Sequence, residues 1–257
     1  MSDAVILQTR ALTKEFKGFV AVNDVNLSVQ RGHIHALIGP NGAGKTTCFN
    51  LLTKFLTPSS GQILFNGQDI THEKPAAIAR RGVIRSFQIS AVFPHLTVLE
   101  NVRVALQRKL GTSFHFWRPE RSLEVLNERA SELLRAVDLE GFAATLTVNL
   151  SYGRKRALEI ATTLAMEPEL MLLDEPTQGM GIEDVDRIRQ LIKKVSAGRT
   201  VLMVEHNMSV VSSIADTITV LQRGAVLAEG PYAEVSKNPA VIEAYMGSAS
   251  TELQGAH

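Results

Sequence analysis

Two stretches of the sequence hold residue types whose spacing suits work on phosphate. In IHALIGPNGAGKTTCFNLL (34–52), Gly39 and Gly44-Lys45-Thr46 satisfy G-x-x-x-x-G-K-[ST] between an apolar strand and a helix start. Glycines let the loop Gly39, Pro40, Asn41, Gly42, Ala43 and Gly44 turn backbone N–H groups inward around phosphate oxygens. The helix N-terminus that follows favours the same anion. Lys45 would reach the β- and γ-phosphates of a nucleotide, the Thr46 hydroxyl would ligate Mg²⁺, and Thr47 beside it would join the nucleotide-binding residues. The plainer reading is a glycine turn with a surface lysine.

LMLLDEP (170–176) supplies the second half, a buried strand ending in adjacent carboxylates. Asp174 at the strand tip is placed to hold Mg²⁺, directly or through water. Glu175 can polarise a water for attack on the γ-phosphate, a general-base role. Without the glycine loop the pair would be a plain acidic strand end. VLMVEHN (201–207) repeats the design with Glu205-His206, and the His206 ring N–H could sense a γ-phosphate. A lone histidine is otherwise structural or solvated. Gln88, after VIRSF, could give its amide oxygen to the same Mg²⁺ or its water; alone it is an ordinary polar residue.

These residues need a sheet to hold them. Apolar, β-rich segments recur at Val5–Gln8, Val25–Val29, Ile34–Ile38, Ile63–Phe65, Val83–Phe87, Leu170–Leu173, Val201–Val204, Ile218–Leu221 and Val226–Ala228. The short continuous ones predict strands buried on both faces. Ile182, Val185, Ile188, Leu191, Ile192 and Val195 keep a helical stripe with charges opposite. The stretch from about 95 to 165 shows no strand pattern and predicts a mostly helical insertion, so the whole is a mixed α/β core with a helical subdomain. The tail from Ser248 to His257 is small and polar and is expected to fray.

A helix is also predicted in NLSYGRKRALEIA (149–161), with Ser151 at the N-cap. Arg154, Lys155 and Arg156 crowd its first turn, where the helix dipole disfavours positive charge by roughly 0.3–1 kcal/mol each. The plain account makes Lys155 and Arg156 solvated cations, Lys155 lying near Glu159. The other account gives the cations an anion to meet.

Bulk properties narrow the function classes. The chain has 257 residues, 45% of them hydrophobic, and a net charge of +1. That is ample for a sizeable core, and the charge balance gives no electrostatic reason to expect nucleic acid. The one cysteine, Cys48, excludes an internal disulfide and reads as a small buried thiol. No apolar run approaches the roughly 18–20 residues that span a bilayer, and no signal-peptide pattern opens the chain. A soluble, cytoplasmic chain is expected, whose membrane role would come through partners.

In order, 39–47, Gln88, 151–155, 170–175 and His206 resemble the Walker A, Q-loop, signature, Walker B and switch histidine of the ABC ATPase family. The resemblance covers about 5–247. It implies a P-loop NTPase of ABC type: a RecA-like mixed-sheet core with an antiparallel β-subdomain (about 5–88 and 166–247) and a helical subdomain (about 89–165). FKGFVAVNDVNL, RSFQISAVFPHLTVLENV, LSYGRKRALEIA and NPAVIEAYMG are similar to the ATP-binding subunits of branched-chain amino acid uptake systems. The family implies that Phe16 stacks on adenine, with a core aromatic as the alternative. It implies that two such chains, identical or paralogous, pack head to tail around two ATP molecules. Ser151, Tyr152 and Gly153 would then face the γ-phosphate held by the other chain. The closing motion would drive transmembrane permease subunits, fed by a substrate-binding protein, at the cytoplasmic face of the membrane. The groove near Gln88–Thr97, with Ala91, Val92, Phe93, Pro94 and Leu96, resembles the surface where such ATPases receive a permease helix.

Three departures stand out: Tyr152 and Arg154 within the signature, and Gly181 where relatives carry an aspartate. The aromatic stretch TSFHFWRP (112–119) would dock the permease or fold onto its own helices. An exporter subunit of the lipopolysaccharide-export type shares the layout. A soluble ABC ATPase acting on DNA or ribosomes fits less well.

Overall fold

The computed structural model describes residues 5–86, 92–110 and 124–254. Gln88, Ala91 and the aromatic stretch 112–119 lie outside the described residues. The first strands are β1 (Val5–Phe16), β2 (Phe19–Val25), β3 (Ser28–Gln30) and β4 (Ile34–Ile38). The expected strand Val25–Val29 is divided, its first residue ending β2 and its last two lying in β3. Helix α1 (Lys45–Leu52) follows, then β5 (Ser60–Phe65), β6 (Gln68–Asp69), α2 (Pro75–Arg80) and β7 (Val83–Ser86). Next come α3 (Val98–Leu110), α4 (Asn127–Ala136) and α5 (Tyr152–Ala165). The chain continues through β8 (Leu170–Asp174), α6 (Ile182–Val195), β9 (Thr200–Val204), α7 (Met208–Ile214), β10 (Thr217–Gln222) and β11 (Ala225–Gly230). It ends in α8 (Tyr232–Val235) and α9 (Pro239–Gln254). The tail expected to fray from Ser248 instead continues α9 to Gln254, since neither glycine nor proline interrupts Ser248–Gln254.

Among the described residues the strands form two sheets. One has the order β11-β10-β4-β9-β8-β7, parallel except for the β10–β11 edge pair. The other is antiparallel, β2-β1-β5-β6, with β3 also on β1. Every residue of β4, β8 and β9 is buried, as expected of strands covered on both faces. Their side chains alternate between two cores. Ala36, Ile38, Met171, Leu173, Val201 and Met203 face α5, α6 and the helical region. Leu37, Leu170, Leu172, Leu202 and Val204 face α1 and the antiparallel sheet. Cys48 lies within the second core, where burial pushes its thiol up to about 12.

The helical region is stitched by polar groups. Thr97 and Glu100 form a reciprocal cap at the start of α3, Thr97 N–H donating to Glu100 at 2.6 Å and Glu100 N–H to Thr97 at 3.2 Å. Buried Asn101 accepts from Phe93 N–H at 2.7 Å and donates to Thr147 Oγ1 at 3.0 Å. It thereby fixes the segment entering α3 against the one that leads to α5. On α6 the predicted stripe is buried from Ile188 onward, but Ile182 is 91% exposed.

Candidate functional site

Strands β4, β9 and β8 are neighbours and parallel, so their carboxyl ends share one edge of the sheet. The glycine loop, Glu205-His206 and Asp174-Glu175 therefore converge, at the edge where open α/β sheets bind ligands. A cavity of about 430 Å³ opens there between Asn41, Glu175, Gln178, Glu205 and His206.

Gly39 has a φ of 150°, and a Cβ on it would sit 2.2 Å from the Leu221 carbonyl oxygen at the end of β10. Only glycine fits that approach. Gly44, φ 96°, is the N-cap of α1 and lies against Ala21 of β2. The β1–β2 hairpin thus borders the loop, and it presents Phe16 and Phe19 41% and 67% exposed. Phe16 is not a core aromatic; Lys14 lies over its ring at 5.0 Å.

Lys45 is buried and its Nζ donates to Gly39 O at 2.7 Å and Pro40 O at 2.9 Å, inside the curve of the loop. Burial holds its pKa below the usual lysine value, while the charge of Glu175 pulls it back up. Thr46 is exposed and Thr47 half-buried at the start of α1, which has no side-chain cap. A phosphate would give that helix terminus and the Lys45 ammonium a common partner.

Glu175 takes φ 45°, and its N–H donates to Val204 O at 2.9 Å, so the backbone bends sharply as β8 ends. Its Oε1 lies 2.8 Å from His206 Nε2. The pair bridges the tips of two adjacent strands. Asp174 is buried; its carboxylate pairs with Arg85 of β7, and its carbonyl accepts from Arg156 Nη2 at 2.7 Å. Among the described residues no group of three or more His, Cys, Asp or Glu could hold a metal. A divalent ion at Asp174 and Thr46 would therefore complete its shell with phosphate oxygens and water, the usual habit of Mg²⁺.

Residues 151–153 are not among those lining this cavity. Ser151 is the exposed N-cap of α5 without a side-chain cap bond, Tyr152 is 52% exposed, and Gly153 is buried. A Cβ on Gly153 would meet the Asp184 carboxylate of α6 at 2.6 Å, so an anion already stands beside this crowded helix start. Arg154 stacks over Phe142 at 4.1 Å. The expectation that Arg156 is a solvated cation is wrong: it is buried, and its Nη1 pairs with Glu159 at 2.7 Å. Glu159, assigned to Lys155 by spacing, faces inward instead.

Sequence reasoning missed Arg85 and the work of Glu205, and misjudged Arg156. An arginine inside the apolar run VIRSF was the available signal for the first. Buried Glu205 accepts from His206 N–H at 2.7 Å, Asn207 N–H at 2.9 Å and Thr177 N–H at 3.1 Å. It also bonds the Thr177 hydroxyl. Two of these donors are the next residues in the chain, and the order of residues does not announce Thr177, 28 positions away.

The sequence pattern of the ABC transporter family matches residues 22–178. The chain belongs to the ABC transporter ATP-binding family. Residues 225–250 also match the pattern described as the branched-chain amino acid ATP-binding cassette transporter. The chain is 42% identical to the high-affinity branched-chain amino acid transport ATP-binding protein BraF of Pseudomonas aeruginosa, over 95% of this chain and 98% of that protein. It is 38% identical to LivG of Escherichia coli, described in the same words, over the same shares. Among solved structures it is similar to an ABC transporter cassette in its ADP conformation, with TM-score 0.83 and 30% identity over 95% of this chain and 99% of the other. This ABC cassette has the P-loop NTPase fold expected from its motifs, and no helix among its described residues is long and apolar enough to cross a membrane.

Proposed function

We propose that this ABC ATPase is the ATP-hydrolysing subunit of an importer for branched-chain or related amino acids. The observation that carries the catalytic reading is the Glu175–His206 contact of 2.8 Å at the mouth of the glycine loop. The similarity to BraF and LivG supports the choice of cargo.

In this reading the loop 39–44 wraps the phosphates and Lys45 exchanges its carbonyl partners for β- and γ-phosphate oxygens. Phe16 stacks on adenine. Thr46, Asp174 and Gln88 would hold Mg²⁺ directly or through water, and the ion would supply positive charge to stabilise the phosphates during hydrolysis. Glu175 takes the proton of the attacking water, and His206 orients that carboxylate and reports the γ-phosphate. Ser151, Tyr152 and Gly153 serve the nucleotide of a second copy or paralogue. Exposed Phe93 and Pro94, with half-buried Val92 and Leu96, offer apolar surface to a permease helix, which would place the chain at the cytoplasmic membrane face. In the same reading the chain divides into a core (about 5–88 and 166–247) and a helical subdomain (about 89–165).

The test is reconstitution in vesicles with permease subunits and a binding protein that co-purify with the chain. ATP-dependent leucine uptake that vanishes with Glu175→Gln is the expected result. Lys45→Ala should lose most nucleotide affinity; unchanged affinity would contradict the loop assignment. Uptake without ATP turnover, or turnover unaffected by Glu175→Gln, would overturn the reading.

A further inference from the structure

We propose that Arg85 is a positioning residue for the metal. It fixes the Asp174 carboxylate relative to the helix that carries Thr46, and it ties both to the wall of a neighbouring groove. The inference rests on the assignment of Asp174 and Thr46 as metal ligands.

Arg85 projects from β7, the strand beside β8, and its guanidinium is shared among three elements. One Nη2 proton engages Asp174 Oδ2. Nη1 donates to Asn50 Oδ1 at 2.7 Å and lies 3.3 Å from Thr53 Oγ1, both on the C-terminal side of the helix that Thr46 opens. The ring of Phe49, from the same helix, lies 5.2 Å from the guanidinium carbon, and the ring of Phe55 lies 5.4 Å away. A planar fork holds a carboxylate and an amide in one fixed geometry, which an ammonium on a flexible stem does not impose. Residues behind a metal ligand set its orientation, and their loss typically weakens metal binding by about 10–100-fold.

The clamp continues beyond the site. Arg85, Phe55, Ser86, Glu159, Thr163 and Met166 line a groove of about 380 Å³. Glu159 pairs with Arg156, whose other Nη donates to the Asp174 carbonyl. Both the carboxylate and the backbone of Asp174 are therefore gripped by arginines with further partners on this groove. Phe55, 54% exposed, is the accessible member.

The experiment titrates Mn²⁺ into the full chain with a non-hydrolysable ATP analogue, following free Mn²⁺ by its paramagnetic resonance. Nucleotide affinity is measured separately in chelator. Arg85→Gln should weaken Mn²⁺ binding about 10–100-fold, with metal-free nucleotide affinity changed by less than about threefold. Arg85→Lys should recover part of the loss, and Phe55→Ala should weaken Mn²⁺ a few-fold although it touches neither ligand. Equal or tighter Mn²⁺ binding by Arg85→Gln overturns the proposal, and full recovery by Arg85→Lys reduces it to charge alone, which also overturns it. Unchanged binding by Phe55→Ala overturns the link to the groove. If Arg85→Gln does not fold, the lysine and Phe55 variants decide. A wild-type chain that takes up no Mn²⁺ with nucleotide overturns the metal assignment itself; wild-type uptake with unaffected variants overturns only the role of Arg85.

Discussion

The ends of β8 and β9 look alike in sequence, each a buried apolar strand followed by two polar residues, Asp174-Glu175 and Glu205-His206. They differ in what holds the first carboxylate. Glu205 is satisfied by three backbone N–H groups and a hydroxyl, all from the turns it organises. Asp174 is held by a guanidinium from another strand. Backbone donors around a buried carboxylate fix a loop and leave it little capacity for anything else. Among the described residues, a guanidinium at one carboxylate oxygen leaves the lone pairs of the other for a ligand. The second residues of the two pairs then meet, Glu175 against His206. The contrast lies in the first carboxylates: Glu205 holds turns together, and Asp174 keeps capacity for a ligand.

Breaking the pair at its reactive member should give the largest effect. Glu175→Gln should lower steady-state ATPase rate by about 10²–10⁴-fold, the range of a lost general base, while nucleotide binding persists. Comparison of kcat with analogue affinity checks it. Glu205→Ala should act on stability, costing about 3 kcal/mol in urea unfolding because several buried donors lose a charged acceptor. A Glu205 variant that unfolds like wild type but stops turning over would erase the distinction between the two ends.

A third contrast comes from β4, whose buried His35 has its pKa lowered to about 4, chiefly by burial and secondarily by the charge of His33. Its Nε2 lies 2.7 Å from Thr219 Oγ1, and that hydroxyl donates to Glu229 at 2.6 Å, so the ring nitrogen is the donor to threonine. Between pH 6.5 and about 4 the unfolded chain binds a proton that the folded chain refuses. Stability should therefore fall as pH drops through that window, by up to about 3 kcal/mol, and His35→Gln should flatten the slope. The smallest effect is expected at Arg154→Gln, which should make the salt dependence of ATP-driven dimerisation shallower in a Glu175→Gln background. Identical slopes would leave Arg154 as a cation resting on Phe142.

Continuous apolar runs made β4, β8 and β9 legible within a residue, because strands covered on both faces have no polar side to blur their ends. The glycine loop was legible because its spacing is imposed by backbone geometry that other residues cannot adopt. The β2 strand escaped because FVAVNDV on an antiparallel, half-exposed sheet lacks such a run. Arg156 was misjudged because three consecutive basic residues share a charge pattern but point in different directions on a helix. Arg85, on β7, and Glu205 depend on partners 89 and 28 positions away respectively, Asp174 and Thr177, a distance along the chain that local pattern does not carry.

Cys48 has a practical consequence. The whole sequence contains one thiol, and that thiol is sealed in the core with almost no thiolate at neutral pH. A cysteine introduced at exposed Ile182 or Tyr152 would be the one site an alkylating dye or spin label could reach. The native chain is therefore already a labelling background, ready for distance measurements between two copies without first removing a residue from beside the glycine loop.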